Sequence, residues 1–228
     1  MPTPAEIAEL ETAARELVRE SQELSRQADD LESSLNDQST PNERDQKHTD
    51  AAKRRRDAGR KRREAAEKYA EAGNHRAAGD CHDISSEYFE EAAESYSDSA
   101  RARADNDDSE GANRQRRNAE HARNDKRLSD ANAADSHKAD ARELQREAED
   151  AERNRDWDTA RTKYRKAAAS FHRAANSEPT PNASDMSRRD AERASENAER
   201  MLDKIRESSF DGMSYKELIS GDYEDDRV

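Results

Sequence analysis

The sequence predicts an all-α protein in which an N-terminal coiled-coil helix precedes antiparallel αα-hairpins, arranged as an elongated helical bundle or a short repeat array. Three observations predict this class. Ala, Glu, Lys, Leu and Arg supply 117 of the 228 residues, a composition typical of coiled coils and long helices. Small apolar residues recur at helical spacing along most of the chain. Proline, short clusters of small polar residues, and Gly73 and Gly111 fall in a few short segments, which mark the predicted helix ends.

The scarcity of large apolar residues argues against a thick core. Leu, Ile, Val and Phe total 18 of 228 residues, and the net charge is −13. This combination of low hydrophobicity and high net charge is typical of disordered chains. The periodicity decides in favour of helices. Because alanine supplies most of the apolar residues and buries little area, at roughly 25 cal/mol per Å², we expect thin helical layers of marginal stability.

The strongest periodicity lies in residues 1–36, which we predict to form a coiled-coil helix. Leucines recur every seven residues, and mostly small residues fill the alternate core position of the heptad. The two sets are Leu10, Leu17, Leu24 and Leu31, and Ile7, Ala14, Ser21, Ala28 and Leu35. Small residues favour the close approach of an antiparallel helix. The sequence leaves open whether that helix belongs to the same chain or to a second copy, so a homo-oligomer through residues 7–35 is one expectation.

The rest of the chain divides at short polar segments. The predicted segments are a linker at 37–42, a first αα-hairpin at 43–105, a long helix with a second αα-hairpin at 106–177, a linker at 178–183, a C-terminal helix at 184–207 and a tail at 208–228. Gly73-Asn74 reads as a helix C-cap at the turn of the first hairpin. Asp156 is a candidate N-cap at the turn of the second hairpin.

The two hairpins carry an internal repeat. A shift of 82 residues aligns Ala66 with Ala148, Ala78 with Ala160 and Phe89 with Phe171. Residues 65–96 and 151–177, the latter with Trp157, Ala160, Tyr164, Ala168, Phe171 and Ala175, resemble tetratricopeptide or SNAP-like helical repeats. The Leu-Gly pair and closing proline of that family are missing at the expected places. The resemblance implies concave αα-hairpin surfaces that bind peptides or helices of partner proteins.

Catalytic and cofactor-binding motifs are missing from the sequence. The six glycines form no phosphate-binding loop, and no His-Glu-x-x-His motif is present. The single cysteine, Cys81, excludes an intramolecular disulfide and suits a reducing compartment. A cluster of metal-ligating residue types surrounds it, namely His75, Asp80, His82, Asp83 and Glu87. A solvated polar face beside a small core cysteine explains this cluster. We therefore predict a non-enzymatic protein without catalytic residues, cofactor or metal.

A basic stripe is the strongest charge feature. Its members, at 3/4 spacing on one helix face, are Lys53, Arg56, Arg60 and Arg63. The stripe could contact an anionic partner, either nucleic acid or an acidic protein surface. Alternatively, the acidic residues of the next helix could neutralise it, with Arg54 near Glu94, Lys61 near Glu87 and Arg60 near Tyr88.

The tail concentrates large apolar residues in a chain that otherwise has few. They are Phe210, Met213, Tyr215, Leu218 and Ile219, and acidic residues follow them. Such a segment is typical of a docking motif that orders on binding, or of a cap on the last hairpin.

The function that the sequence predicts is that of a scaffold, adaptor or assembly factor that binds other proteins through helical surfaces. The alternatives are a nucleic-acid-binding protein that uses the basic helix 53–63, and a structural subunit of a larger prokaryotic or viral assembly. No window is apolar enough to span a membrane, and the N-terminus lacks a signal peptide. We therefore expect a cytoplasmic protein with no membrane partner.

Overall fold

Six α-helices make up the computed structural model, which describes residues 2–211, with side chains as far as Ser208. The helices are α1 (Pro4–Ser33), α2 (Pro41–Glu71), α3 (His75–Ala104), α4 (Ser109–Arg153), α5 (Trp157–Ser177) and α6 (Pro181–Asp211). The part of the chain so described contains no strand. Each helix packs mainly against its neighbours in sequence, which confirms the all-α class and an array of antiparallel hairpins.

Three helices begin with the same Thr-Pro dipeptide. Thr3 and Thr40 are N-caps followed by proline, and each forms a capping box with the glutamate three residues on. Thr180 accepts a hydrogen bond from the amide of Ala183 in the same way. Because proline is favoured at the first helical position, α2 and α6 begin at Pro41 and Pro181, inside the predicted linkers.

Three of the turns share one backbone conformation. Gly73, Asp107 and Arg155 have φ angles of 78°, 58° and 60°. The next residue in each turn donates its amide back to the carbonyl five residues earlier, which defines a Schellman motif. That residue is also the N-cap of the following helix, and it is Asn74, Asp108 or Asp156. Gly73 with Asn74, and Arg155 with Asp156, are thus structural equivalents in the two hairpins.

The long helix α4 joins the two halves of the array. It has 45 residues and spans about 68 Å at 1.5 Å per residue. Its first part packs antiparallel to α3, and its second part packs antiparallel to α5. The N-terminus of α3 therefore meets the C-terminus of α5 beside the middle of α4, where Arg173 pairs with Asp80 at 3.2 Å.

Alanine forms most of the core. The aligned pairs of the 82-residue repeat (Ala66 and Ala148, Ala78 and Ala160, Phe89 and Phe171) are all buried, so the two hairpins bury equivalent positions. Serines share the interior. Ser85 donates to the carbonyl of Gly59 at 2.7 Å and lies 3.1 Å from the hydroxyl of Ser129, linking three helices. The interior is thin, as the composition predicts.

Helical stretches that pack together carry net charges of opposite sign, when the two parts of α4 are counted separately. The net charge is −6 for α1, +4 for α2 and −4 for α3, with histidine neutral. Within α4 it is +1 over residues 109–137, beside α3, and −2 over residues 138–153, beside α5. It is +4 for α5 and −2 for α6. Every pair of helices that packs together in sequence therefore joins a net acidic partner to a net basic one.

None of the described helices has the length and apolar character needed to cross a membrane.

Candidate functional site

Helix α1 lies at one end of the array and packs antiparallel to α2. The small heptad residues Ala14, Ser21 and Ala28 are fully buried. Lys61 pairs with Glu20 at 3.0 Å, and Arg55 pairs with Asp29 at 3.0 Å, which fixes the antiparallel direction. The small residues of the heptad therefore pack against α2 of the same chain.

The four leucines of the heptad form what we call the leucine row: Leu10, Leu17, Leu24 and Leu31. All four are only partly buried, because they lie at the edge of the contact between α1 and α2. Two surface depressions open along this row. One, of about 700 Å³, is lined by Leu10 and Ala13 together with Lys68 of α2. The other, of about 690 Å³, surrounds Leu24. The leucine row is therefore an apolar strip that the chain covers only in part.

Four carboxylates flank the leucine row, and we call them the acidic row: Glu9, Glu16, Glu23 and Asp30. Each precedes a leucine by one residue and is exposed. At 100° per residue, the acidic row lies on the side of the leucines away from buried Ala14, Ser21 and Ala28.

The basic stripe on α2 is largely paired within the chain. Arg56 donates two hydrogen bonds to the carboxylate of Asp125 on α4, at 3.0 and 2.8 Å. Arg63 donates to the carbonyl oxygen of Asp125 at 3.0 Å, and its guanidinium lies 5.0 Å from the ring centroid of Phe89. Lys53 and Arg60 are exposed and pair with Asp50 and Asp57, each at 3.2 Å.

Other basic residues of α2 contact helices on both sides. The register of α2 against α3 agrees with the predicted antiparallel hairpin, since Arg55 contacts Ser95 and Thr49 contacts Ser99. Lys61, however, pairs with Glu20 of α1 rather than with Glu87, and Arg54 donates to Gln27 of α1. The predicted neighbours in α3 were therefore wrong for these two residues, because the helical period turns them away from α3 toward α1.

Arg55 is the centre of an ionic cluster among α1, α2 and α3. Its guanidinium lies 3.0 Å from Asp29, 2.8 Å from Glu32 and 3.3 Å from Glu91. Burial raises the pKa of Glu32, but interactions with His48, Ser95 and Arg55 outweigh it and lower that pKa to about 2. Burial raises the pKa of Glu91. Arg55 thus holds carboxylates of two helices together.

A second polar cluster lies where α3, α4 and α5 meet. Nε2 of His137 lies 2.9 Å from Oδ2 of Asp83, and the Ser177 hydroxyl donates to Oδ1 of Asp83 at 2.9 Å. Burial raises the pKa of Asp83, but these two contacts outweigh it and leave the pKa below its ordinary value. Ligand atoms of Asp80, Asp83 and His137 lie within 4.8 Å of one another, as a metal site would require. Arg173 pairs with Asp80, however, and places a positive charge at that position.

This cluster links three helices through hydrogen bonds and ion pairs. The sequence cluster around Cys81 included Asp80 and Asp83 but missed His137, which is distant in sequence and follows the alanine periodicity of α4. His82 and Cys81 are buried nearby. Burial, followed by the charge of Arg63, lowers the pKa of His82 to about 4. Burial also raises the pKa of the Cys81 thiol.

The tail residues stand apart from these sites. Phe210 lies within the bounds of α6, but its side chain is outside the described part of the chain. Met213, Tyr215, Leu218 and Ile219 lie outside the described residues altogether. Their docking role stays a prediction from the sequence.

The fold and these surfaces define a class of protein, an all-α array of helical hairpins with one partly covered apolar strip on its first helix. Comparisons with protein-family models, with curated proteins and with solved structures found no match to this chain.

Proposed function

We propose that this protein is a non-enzymatic adaptor or scaffold that binds a helix of a partner protein at the leucine row of α1. The observation that carries the proposal is that four leucines at heptad spacing stay partly exposed in a chain with only nine leucines. Apolar strips of this kind on a helix are what partner helices bind in helix-in-groove recognition.

The energetics of the leucine row support this proposal. Alanine forms most of the core and buries little area, so the leucines are among the largest apolar groups available. A partner helix that covered the remaining exposed surface of each leucine would gain roughly 1 kcal/mol per leucine at about 25 cal/mol per Å². Repeated four times along α1, that gain is about 4 kcal/mol, which corresponds to a Kd of about 1 mM. Tighter binding therefore requires further contacts between the partner helix and α1.

The role we assign to the rest of the array follows the resemblance to tetratricopeptide or SNAP-like repeats. In this proposal the αα-hairpins form the platform that presents α1, and the protein acts in the cytoplasm. Because α4 spans both halves, a partner held at α1 would lie at a fixed position relative to α5 and α6. A scaffold needs this kind of fixed geometry.

Nucleic-acid binding through residues 53–63 is the weaker candidate. Two of its four basic residues, Arg56 and Arg63, are engaged by Asp125, and the other two pair within α2. A polyanion would have to compete with these contacts. A structural subunit of a larger assembly would instead self-associate without any other protein.

Site-specific photo-crosslinking tests the proposal. A photoreactive phenylalanine analogue replaces Leu24 in one variant and Met186 in another, because Met186 is the matched exposed apolar residue on α6, with 66% of its surface accessible. In nuclease-treated lysate of the source cells, we expect a discrete adduct from position 24 and none from position 186. Replacing Leu17 with Asp should abolish the adduct at position 24.

Other outcomes point to the alternatives. Adducts at both positions, or adducts that persist after Leu17→Asp, would refute docking at the leucine row. Adducts that contain only a second copy of the chain would support the structural subunit. Material lost on nuclease treatment would support the nucleic-acid alternative.

A further inference from the structure

We infer that the helix bound at the leucine row carries lysine or arginine along the flank that faces the acidic row. This inference rests on the proposed function and specifies its partner. The helix bound at the leucine row is then a basic amphipathic helix of another protein and not a second copy of α1.

The acidic row has no cationic partner within the described chain. Glu9, Glu16, Glu23 and Asp30 are all exposed, and none forms an ion pair with any described residue of the chain. Arg19 and Arg26 lie three residues after Glu16 and Glu23, yet they form no ion pair with them. Glu23 accepts a hydrogen bond from Nε2 of Gln27 at 3.0 Å. Four carboxylates without a cationic partner therefore repeat at heptad spacing beside the leucines.

Some exposed aspartates on other helices pair with an arginine on the same helix. Asp98 pairs with Arg101 at 2.8 Å, Asp185 with Arg188 at 3.4 Å and Asp190 with Arg193 at 3.3 Å. Each of these arginines follows its aspartate by one helical turn, where opposite charges stabilise a helix. The acidic row has no such pair, and neither do Glu120, Glu143, Glu192 and Glu196 on α4 and α6. What distinguishes the acidic row is its heptad repeat beside the leucine row.

The sign of the net charge alternates along the array. Each stretch of helix that packs on an acidic stretch in this array is net basic, when the two parts of α4 are counted separately, and α1 has a net charge of −6. A helix that continues the array beyond α1 should therefore be basic. A second copy of α1 would instead bring two acidic rows together, and like charges across a helix pair are repulsive.

Two synthetic peptides of four heptads test the inference by fluorescence anisotropy with the full-length protein. Both peptides carry Ala and Leu at the two core positions, and one has Lys at the flanking positions where the other has Glu. We expect the Lys peptide to bind and the Glu peptide to show no binding at the same concentrations. Added salt should weaken the binding of the Lys peptide.

Two charge-matched variants distinguish the effect of the acidic row on peptide affinity from the effect of the protein's overall negative charge. One carries Glu9→Gln, Glu16→Gln, Glu23→Gln and Asp30→Asn. The control carries Glu120→Gln, Glu143→Gln, Glu192→Gln and Glu196→Gln, four exposed carboxylates on α4 and α6. We expect the first variant to bind the Lys peptide about tenfold more weakly, because it removes four opposite-charge pairs from the interface. The control should change the affinity less than about twofold.

A third variant, Leu17→Ser with Leu24→Ser, tests docking at the leucine row separately from the charge of the partner helix. If both peptides bind equally and this variant weakens them, docking at the leucine row stands and the inference about charge is overturned. If neither peptide binds, or if this variant binds like the unaltered protein, the leucine row is not the docking surface and the proposed function fails with the inference.

Discussion

The imidazole ring of His137 occupies the space that a side chain at Gly79 would need. A Cβ added to Gly79 would lie 2.5 Å from Cε1 and 2.6 Å from Nδ1 of His137. His137 is fully buried and held by Asp83, so the ring cannot move away cheaply. The contact lets α3 approach α4 closely at the point where α5 joins them. The absence of a side chain at Gly79 therefore leaves the space that the His137 ring fills.

Replacing Gly79 with Ala should lower the free energy of unfolding by about 1–3 kcal/mol, because overpacking outweighs the higher helix propensity of alanine. Urea denaturation followed by circular dichroism measures this change. In a His137→Ala background the same substitution should be neutral or stabilising, since the ring is gone. Equal destabilisation in both backgrounds would show that the ring is not the obstacle.

Replacing Arg55 with Leu should lower the free energy of unfolding by about 2–3 kcal/mol, because it leaves Asp29, Glu32 and Glu91 close together without a cation. The pKa of Glu32, now about 2, should rise. Chemical denaturation and carboxylate titration by NMR measure the two effects. Arg60→Leu is the control, since Arg60 is exposed and pairs only weakly within its own helix, and it should change stability by less than about 0.5 kcal/mol.

Lowering the pH from 7 to 5 should destabilise the protein through His82 by about 2 kcal/mol. The pKa of His82 is about 4 in the folded protein and 6.5 in the unfolded chain, so the unfolded state binds a proton first as the pH falls. The stability is thus full above pH 6.5 and is lost progressively between pH 6.5 and 4. Denaturation curves of His82→Gln should lack this component. An unchanged pH dependence in that variant would assign the effect to other groups.

Replacing Arg155 with Gly should raise the free energy of unfolding by about 1 kcal/mol, because Arg155 has a positive φ angle that glycine adopts without strain. Gly73 occupies the equivalent position in the first hairpin, where Gly73→Ala should have the opposite effect. Thermal unfolding of the two variants provides the comparison. Equal effects of the same sign would contradict the equivalence of the two turns.

The helices and their order could be predicted from the sequence because alanine and leucine recur at helical spacing and the breaks carry Gly, Pro or Asn. The exact starts of α2 and α6 could not be predicted. Each proline was assigned to a linker, whereas in the structure it begins a helix directly after a threonine N-cap. The 82-residue repeat was visible because Phe89 and Phe171 are rare residue types in this chain.

The sites were less predictable. The leucine row was found by its heptad spacing, but its partial exposure depends on how α1 rests on α2. The pairing of Arg56 and Arg63 with Asp125, and of Asp83 with His137, joins residues more than 50 positions apart. Single-sequence periodicity carries no information about which faces of distant helices meet. The acidic row was present in the sequence, but its lack of cationic partners emerged only from the packed structure.

Hydrogen–deuterium exchange of the full-length protein with and without the Lys peptide tests docking at the leucine row most directly. Because α1 ends the array and packs on one side only, its amides exchange by local opening, which a bound helix suppresses. We predict added protection concentrated in residues 10–31. Added protection only in other helices, with α1 unchanged, would contradict docking at the leucine row.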